Sequence, residues 1–402
     1  MRILLVNDYG GLNGGAEIQM FGLRDGLRAR GHETRVLTST AGLESASPAV
    51  DYQACGTNSS FRTLLQTANP WAAWALRGAL KDFRPDVVHL NLFLTQLSPL
   101  ILPVLNLPAF RNIPRIYYAQ WQRAICPTGT RLLPDGAMCR VPWGRSCYRN
   151  GCLPIRDWAP MMLQMRALGG WIDSVDRIVA VSNFVRERLK EADFEGIDVI
   201  YGGTAERAPR PRLTRPPCIG FSGRLVPEKG VDVLLRACHL IIRDFPHLKL
   251  DIAGEGPVSS SLQALSASLG LQDCVTFHGK LSQPEMERVF ARAWIQAIPS
   301  VWEEPFGQVA IEAAMRGTAA VVSGAGGLAE IVIHGETGLH VIAGGPEPLA
   351  AALRTLLRNS AVAERMGAAA RLNALARFSL DRHVQQFLDL YEDLLEAKRH
   401  RP

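Results

Sequence analysis

Arg224 and Lys229 stand five residues apart in GFSGRLVPEKGVDVLL, at the end of a predicted strand and just before a predicted helix over 231–245. A guanidinium and an ammonium converging on a helix start make a clamp for a diphosphate, since both donate several hydrogen bonds to phosphate oxygens. The plainer reading is two exposed basic residues in a strand-to-helix loop. A second arrangement lies in EEPFGQVAIE, Glu303 to Glu312, where acids bracket a segment with nothing ionisable between. Pro305 and Gly307 read as a turn, and QVAIEAAMRG, from Gln308, reads as a helix with an apolar face closed by Gly317. Taken alone, Glu304 and Glu312 fit an acidic helix start and a solvated helix face.

Similar loops recur wherever a strand ends. NDYGGLNGGAEIQ (Asn7 to Gln19) holds Gly10, Gly11, Gly14 and Gly15 and opens into a helix. Its N–H groups and dipole suit a phosphate or a polar substrate. The spacing is not G-x-G-x-x-G, so a tight turn serves equally well. Gly223 precedes the Arg224 clamp. IAGEGP carries Gly254 and Gly256, which permit close approach of a ligand to the backbone. FHGKLSQPEM carries Gly279 and Lys280, placed to border a flat ring, and SGAGGLAEIV makes another glycine-lined helix mouth. In the first half His89, Asn91 and Gln120 end two strands on the substrate side, although a buried, satisfied histidine fits His89 as well.

These residues need a frame that brings strand ends to one edge. Apolar strands alternate with helices from end to end: 2–8, 34–39, 86–92, 115–120, 177–182 and 198–202, then 218–223, 249–254, 275–279, 295–300, 319–323 and 338–341. Near-continuous apolar strands separated by helices mean parallel sheets covered on both faces. At 402 residues two domains are expected. The first runs over 1–203 and is Rossmann-like. GGTAERAPRPRLTRPPC is rich in Pro and Arg and reads as an extended linker, 204–217, before a second Rossmann-like domain, 218–379. A last helix is expected over 380–398, in a segment, 380–402, that is free to pack back on the first domain. Such domains bind ligands at the carboxyl ends of their strands.

GFSGRLVPEKGVDVLLRA, IAGEGP and PSVWEEPFGQVAIEAAMRGTAAVVSGAGGLAEIVIHGETGLHV together resemble the retaining family-4 glycosyltransferases of the GT-B fold, with their Glu-x7-Glu pair. The likeness covers 218–341, and GGAEIQ, DVVHLNLFLTQLSP and RIVAVSNFVRERL extend it more loosely into the first half. CPTGTRLLPDGAMC resembles the variant with a cysteine-bearing insert. The resemblance implies two Rossmann-like domains facing across a cleft and a nucleotide-diphosphate-sugar donor. It implies that Glu312 holds the ribose hydroxyls and that Glu304 contacts the transferred sugar. It implies that Arg224 and Lys229 hold the diphosphate, helped by the N–H groups of Phe306, Gly307, Gln308 and Val309 and by Gly15. Two carboxylates then make sense, because hydroxyls lie at both ends of a sugar nucleotide and a carboxylate accepts from two at once. Retention of anomeric configuration is implied as well. No cofactor is required on this reading, and the chain has no Asp-x-Asp pair to grip a metal–diphosphate.

The pattern also departs from its relatives. Their histidine six residues before Cys-Pro is Gln120 here, followed by Trp121, and YGG (Tyr201 to Gly203) replaces the usual PNG. Gln120 donates to a sugar hydroxyl but cannot take a proton. A sugar-nucleotide-binding subunit without turnover and a GT-B epimerase therefore stand as alternatives. Cys126, Cys139, Cys147 and Cys152 fall inside a basic segment and lack any C-x2-C pair, so zinc, a disulfide and packed thiols all stay open. That segment, 111–166, holds nine arginines and only two acids, Asp135 and Asp157, with Trp, Tyr and Met among them. It suits an anionic membrane surface or a lipid headgroup, while a solvated basic face over buried aromatics fits too; no nucleic-acid motif is present. The acceptor is expected to be a glycan or a lipid-diphosphate-linked glycan in cell-surface polysaccharide assembly. Met1-Arg2 runs straight into an apolar strand, and eight cysteines suit a reduced compartment. The protein is expected to be cytoplasmic, peripheral on the inner membrane face.

Overall fold

The computed structural model describes residues 1–12, 14–42, 49–59 and 62–400; Asn13 of the first glycine loop lies outside them. The chain divides into two compact units, Met1–Ala205 with Leu380–Pro402, and Glu206–Ser379. Each is built on one parallel sheet.

In the first unit the strands are β1 (Arg2–Val6), β2 (Glu33–Ser39), β3 (Tyr52–Ala54), β4 (Val87–Leu90), β5 (Arg115–Ala119), β6 (Arg177–Ala180) and β7 (Ile197–Val199). Their order is β3-β2-β1-β4-β5-β6-β7, and Ile3 pairs with Thr34 on one side and Val87 on the other. Ile3, Leu4, Leu5 and Val6 are fully buried, as a central strand covered on both faces requires. The helices are α1 (Gly15–Ala29), α2 (Arg62–Thr67), α3 (Pro70–Phe83), α4 (Leu102–Leu105), α5 (Arg145–Arg149), α6 (Ile155–Trp171) and α7 (Asn183–Lys190). Asn69 starts α3 by accepting a hydrogen bond from Ala72 N at 3.0 Å, with Pro70 in the first turn where its missing N–H is harmless.

The second unit holds β8 (Cys218–Ser222), β9 (Lys249–Ala253), β10 (Val275–Gly279), β11 (Ile295–Ile298), β12 (Ala319–Ser323) and β13 (Gly338–Val341), in the order β10-β9-β8-β11-β12-β13. Its helices are α8 (Val231–Ile241), α9 (Ser259–Ser268), α10 (Gln283–Phe290), α11 (Gln308–Arg316), α12 (Leu328–Ile331), α13 (Pro346–Arg358) and α14 (Ser360–Arg377). Gly317 ends α11 with φ +77°, a left-handed position that glycine takes without strain. The extended stretch after Glu206 runs along this unit: Arg210 N donates to Arg316 O at 2.8 Å and Trp294 Nε1 to Thr214 O at 2.9 Å.

The last helix, α15 (Leu380–Arg399), belongs to the first unit. Lys398 Nζ lies 2.8 Å from Asp176, and Tyr391 meets His89 in the core. No helix among the described residues is long and apolar enough to cross a membrane.

Strand order reverses between β1 and β4 in one sheet and between β8 and β11 in the other. Loops that leave the carboxyl ends of such a strand pair diverge and open a crevice, the usual place for a ligand in a sheet of this kind.

Candidate active site

In the second unit that pair of loops carries the acids and cations singled out above. Residues 223–230 leave β8 and residues 299–307 leave β11. Lys229 Nζ donates to Glu304 Oε1 at 2.5 Å, and Ser300 Oγ donates to the same oxygen at 2.5 Å. Lys229 also sits over the Trp302 ring, 5.6 Å from its centroid. Burial opposes the charge on Glu304, but the Lys229 ammonium and these hydrogen bonds outweigh it and hold the carboxyl below the usual range. An ionised acid and an ammonium thus meet at the switch point. Arg224 is on the same loop, 64% exposed, with Glu228 at 3.8 Å as its ion-pair partner. Its guanidinium is open to solvent and to a ligand.

Gly307, φ +123°, immediately precedes helix α11, and no side chain caps the helix. A Cβ at Gly307 would come within 2.4 Å of Leu328, so only glycine fits this corner. The turn aims the start of α11 and the backbone of Phe306, Gly307, Gln308 and Val309 from the carboxyl edge, where an anion is favoured. Glu312 lies one turn further in and is only 7% exposed, so the solvated helix face is excluded. Burial lifts its carboxyl above the usual range, against the pull of Arg316 and Arg207. Arg207 Nη2 stands 4.0 Å from Glu312, and Arg316 Nη1 donates to Glu287 at 3.3 Å. Sequence reasoning missed both arginines. Arg316 was within reach, four residues after Glu312 on the same helix face; Arg207 gives no local signal.

The glycines at two strand ends have a packing role that the sequence does not announce. A Cβ at Gly254 would lie 1.8 Å from Gly223 O, and one at Gly256 2.1 Å from Leu225 O. Gly223 N donates to Ala253 O at 3.0 Å and Leu225 N to Glu255 O at 2.8 Å. Gly223, Gly254 and Gly256 therefore lock two loops together and seat the Arg224 loop; the space beside the latter two is filled by protein. Gly279 accepts through its carbonyl from Gly254 N at 2.7 Å, and Lys280 N donates to Glu255 at 3.3 Å.

At the first unit's switch point Gly14 precedes α1, which begins at Gly15. Asp8, at the end of β1, is buried and accepts from Thr95, Gln96 and Leu97 N–H groups at 2.8 to 2.9 Å. It fastens the loop after β4. Gln120 Nε2 donates to Asn91 Oδ1 at 3.3 Å, and Gln120 Oε1 is buried without a partner. His89 corrects one expectation. It is fully buried, shares a 2.6 Å hydrogen bond with Tyr391 and packs against Phe387 at 4.7 Å between ring centroids. Burial, then the nearby His383, pushes its pKa down to about 3. His89 ties α15 to the sheet.

Cys126, Cys139, Cys147 and Cys152 are free, half-buried thiols. Burial first, and then the other three thiols, raises the pKa of Cys152. No group of three His, Cys, Asp or Glu able to hold a metal ion occurs among the described residues, which gives the zinc alternative no support. The basic segment is also more buried than its composition suggests. Met161, Met162, Met165, Tyr117, Tyr118, Arg115 and Arg123 are all in the interior.

Two parallel-sheet units with cations, a buried carboxylate pair and an uncapped helix start at a switch point define a GT-B protein. Residues 13–207 match the model of Glycosyltransferase Family 4, and residues 204–373 that of Glycosyl transferases group 1. A glycogen synthase of Mycobacterium tuberculosis is 30% identical over 331 residues, covering 80% of this chain and 71% of its own. Sucrose-phosphate synthase from Thermosynechococcus elongatus superposes with a TM-score of 0.77 at 22% identity, over 99% of this chain and 100% of that one. HepE of Anabaena, solved with UDP and glucose, gives 0.70 at 19% identity, over 98% and 99% of the two chains. The chain belongs to the family-4 GT-B glycosyltransferases and is a glycosyltransferase acting on nucleotide sugars.

Proposed function

We propose that the protein transfers a hexosyl group from a nucleotide-diphosphate-sugar to a hydroxyl of a glycan or lipid-linked glycan in cell-surface polysaccharide assembly, with retention of anomeric configuration. The observation that carries the reading is the Lys229–Glu304 pair between the loops after β8 and β11. Arg224, Lys229 and the start of α11 hold the diphosphate. Glu312, positioned by Arg207, accepts from the ribose hydroxyls. Glu304 accepts from the transferred sugar. Breaking the anomeric C–O bond leaves positive charge on the sugar and negative charge on the departing diphosphate. Fixed cations and N–H groups stabilise the second without rearrangement, a contribution of about 3 kcal/mol for a single well-placed donor. The acceptor hydroxyl attacks from the leaving-group face, and the leaving phosphate takes its proton, so Gln120 need only donate a hydrogen bond. Turnover is proposed to need no metal, because Arg224 and Lys229 occupy that electrostatic role.

A panel of nucleotide-sugars that includes UDP-glucose, the donor-type ligand class of the Anabaena neighbour, tests the reading through release of free nucleotide. Release that survives a chelator and is abolished by Glu304→Gln supports transfer. Tight binding with no release, with any acceptor extract, supports a non-catalytic subunit instead, a reading that Gln120 favours because it cannot act as a base.

A further inference from the structure

Parallel strands fix where every connecting element begins. In the first unit α1 leaves the carboxyl edge of the sheet, and α3 and α6 start at that edge and run back beneath it. Five of the large apolar side chains left exposed in this unit lie on α2, α3 and α6. Trp71 and Trp74, in the first two turns of α3, are 55% and 79% exposed; Leu64 on α2 and Ile155 and Leu163 on α6 are exposed too. Helix α2 lies on α6, with Thr63 Oγ1 donating to Asp157 at 2.9 Å and Thr67 Oγ1 to Pro160 O at 3.1 Å. Helices α3 and α6 both touch the Pro99–Ile101 turn. These side chains therefore belong to one rim.

Cations share it. Arg62, Arg77, Arg156 and Arg166 are exposed, and over 131–171 Asp135 is the one exposed acid among the described residues. On α6 the exposed positions 155, 159, 163 and 166 repeat at helical spacing, so Ile155, Leu163 and Arg166 lie on one face. Indole rings beside guanidinium groups match the boundary layer of a bilayer, where rings enter the headgroup region and cations meet phosphates. A soluble partner of mixed charge would not explain the near absence of acids.

We propose that this rim, through Trp71 and Trp74 of α3 and the Leu163–Arg166 face of α6, docks on a bilayer that carries anionic lipid headgroups. The inference rests on the reading of a lipid-linked acceptor and names the surface that brings the carboxyl edge to it. Docking and transfer fail separately, since vesicle binding needs no turnover and nucleotide release in vesicle-free buffer needs no docking.

Flotation of the full chain with vesicles of phosphatidylcholine alone, or with added phosphatidylglycerol, is the test. The protein floats with the anionic vesicles and not the neutral ones, and high salt weakens the binding. Trp71→Ser/Trp74→Ser lowers the bound fraction about tenfold, as does Arg156→Glu/Arg166→Glu. Ile342→Ser/Leu372→Ser, which changes exposed apolar positions of the second unit, floats like the parent. Failure to bind either vesicle overturns the proposal, and so does undiminished flotation of the tryptophan variant.

Discussion

Lys229 donates to Glu304 in a place where neither is well hydrated, the lysine side chain being 20% and the glutamate 9% exposed. A lowered folded pKa means that Glu304 contributes stability above its unfolded value of about 4.3 and loses it as pH falls below. Removing the cation strands a buried carboxylate. Lys229→Ala should therefore lose about 3 kcal/mol in urea unfolding, whereas Lys229→Met/Glu304→Gln, which removes both charges, should regain most of it. Glu312 works in the opposite sense. Its carboxyl is lifted, so it protonates at a higher pH than an ordinary glutamate and then loses acceptor capacity. Nucleoside diphosphate affinity should fall with acidification from a higher pH in the parent, and titration at several pH values should show Glu312→Gln flat across that window. Glu304 and Glu312 were readable from residue type, spacing and family likeness. Their partners were only half readable: Arg316 follows Glu312 by one helical turn, but Arg207 reaches it from a stretch whose composition reads as linker.

The loop after β8 is held by contact with the loop after β9, and that contact depends on missing side chains. Gly254, φ +134°, has Gly223 O where a Cβ would stand. Gly254→Ala should lower stability by about 2 kcal/mol or more and weaken nucleotide binding by displacing the Arg224 loop. Thermal unfolding read beside nucleotide titration separates this from a direct contact, which would weaken binding and leave the melt unchanged. Most strands were legible because runs such as ILLV are buried on both faces and admit little else. β3 was not: its three residues, YQA, show no apolar run, and pairing with β2 alone makes it a strand. The sequence left open which methionines and tyrosines of 111–166 lie inside, because composition does not say which side of a helix faces inward.

In the first unit, stability depends on two buried histidines that join α15 to the sheet. His383 Nδ1 meets Tyr201 O at 2.7 Å, and burial pushes its pKa down to about 4; His89 goes to about 3. Both are neutral when folded, and the unfolded chain binds a proton on each below about 6.5, so stability is complete above that pH. It should decline below it by up to about 1.4 kcal/mol per pH unit per histidine. Melting temperatures between pH 7 and pH 5 check this slope, and His89→Gln should make it shallower. The return of α15 was not decidable from sequence, because an amphipathic helix at the end of a chain carries no mark of the surface it will cover. All of these features serve one claim, that the carboxyl edge of the second sheet grips a diphosphate between Arg224, Lys229 and the start of α11. Calorimetric titration of UDP, GDP and ADP, each against its monophosphate, tests it most directly. The account predicts that the preferred diphosphate binds at least about tenfold more tightly than its monophosphate, and that Arg224→Ala/Lys229→Ala erases the difference. Equal affinity for both in the parent, or an unchanged difference in the variant, would contradict it.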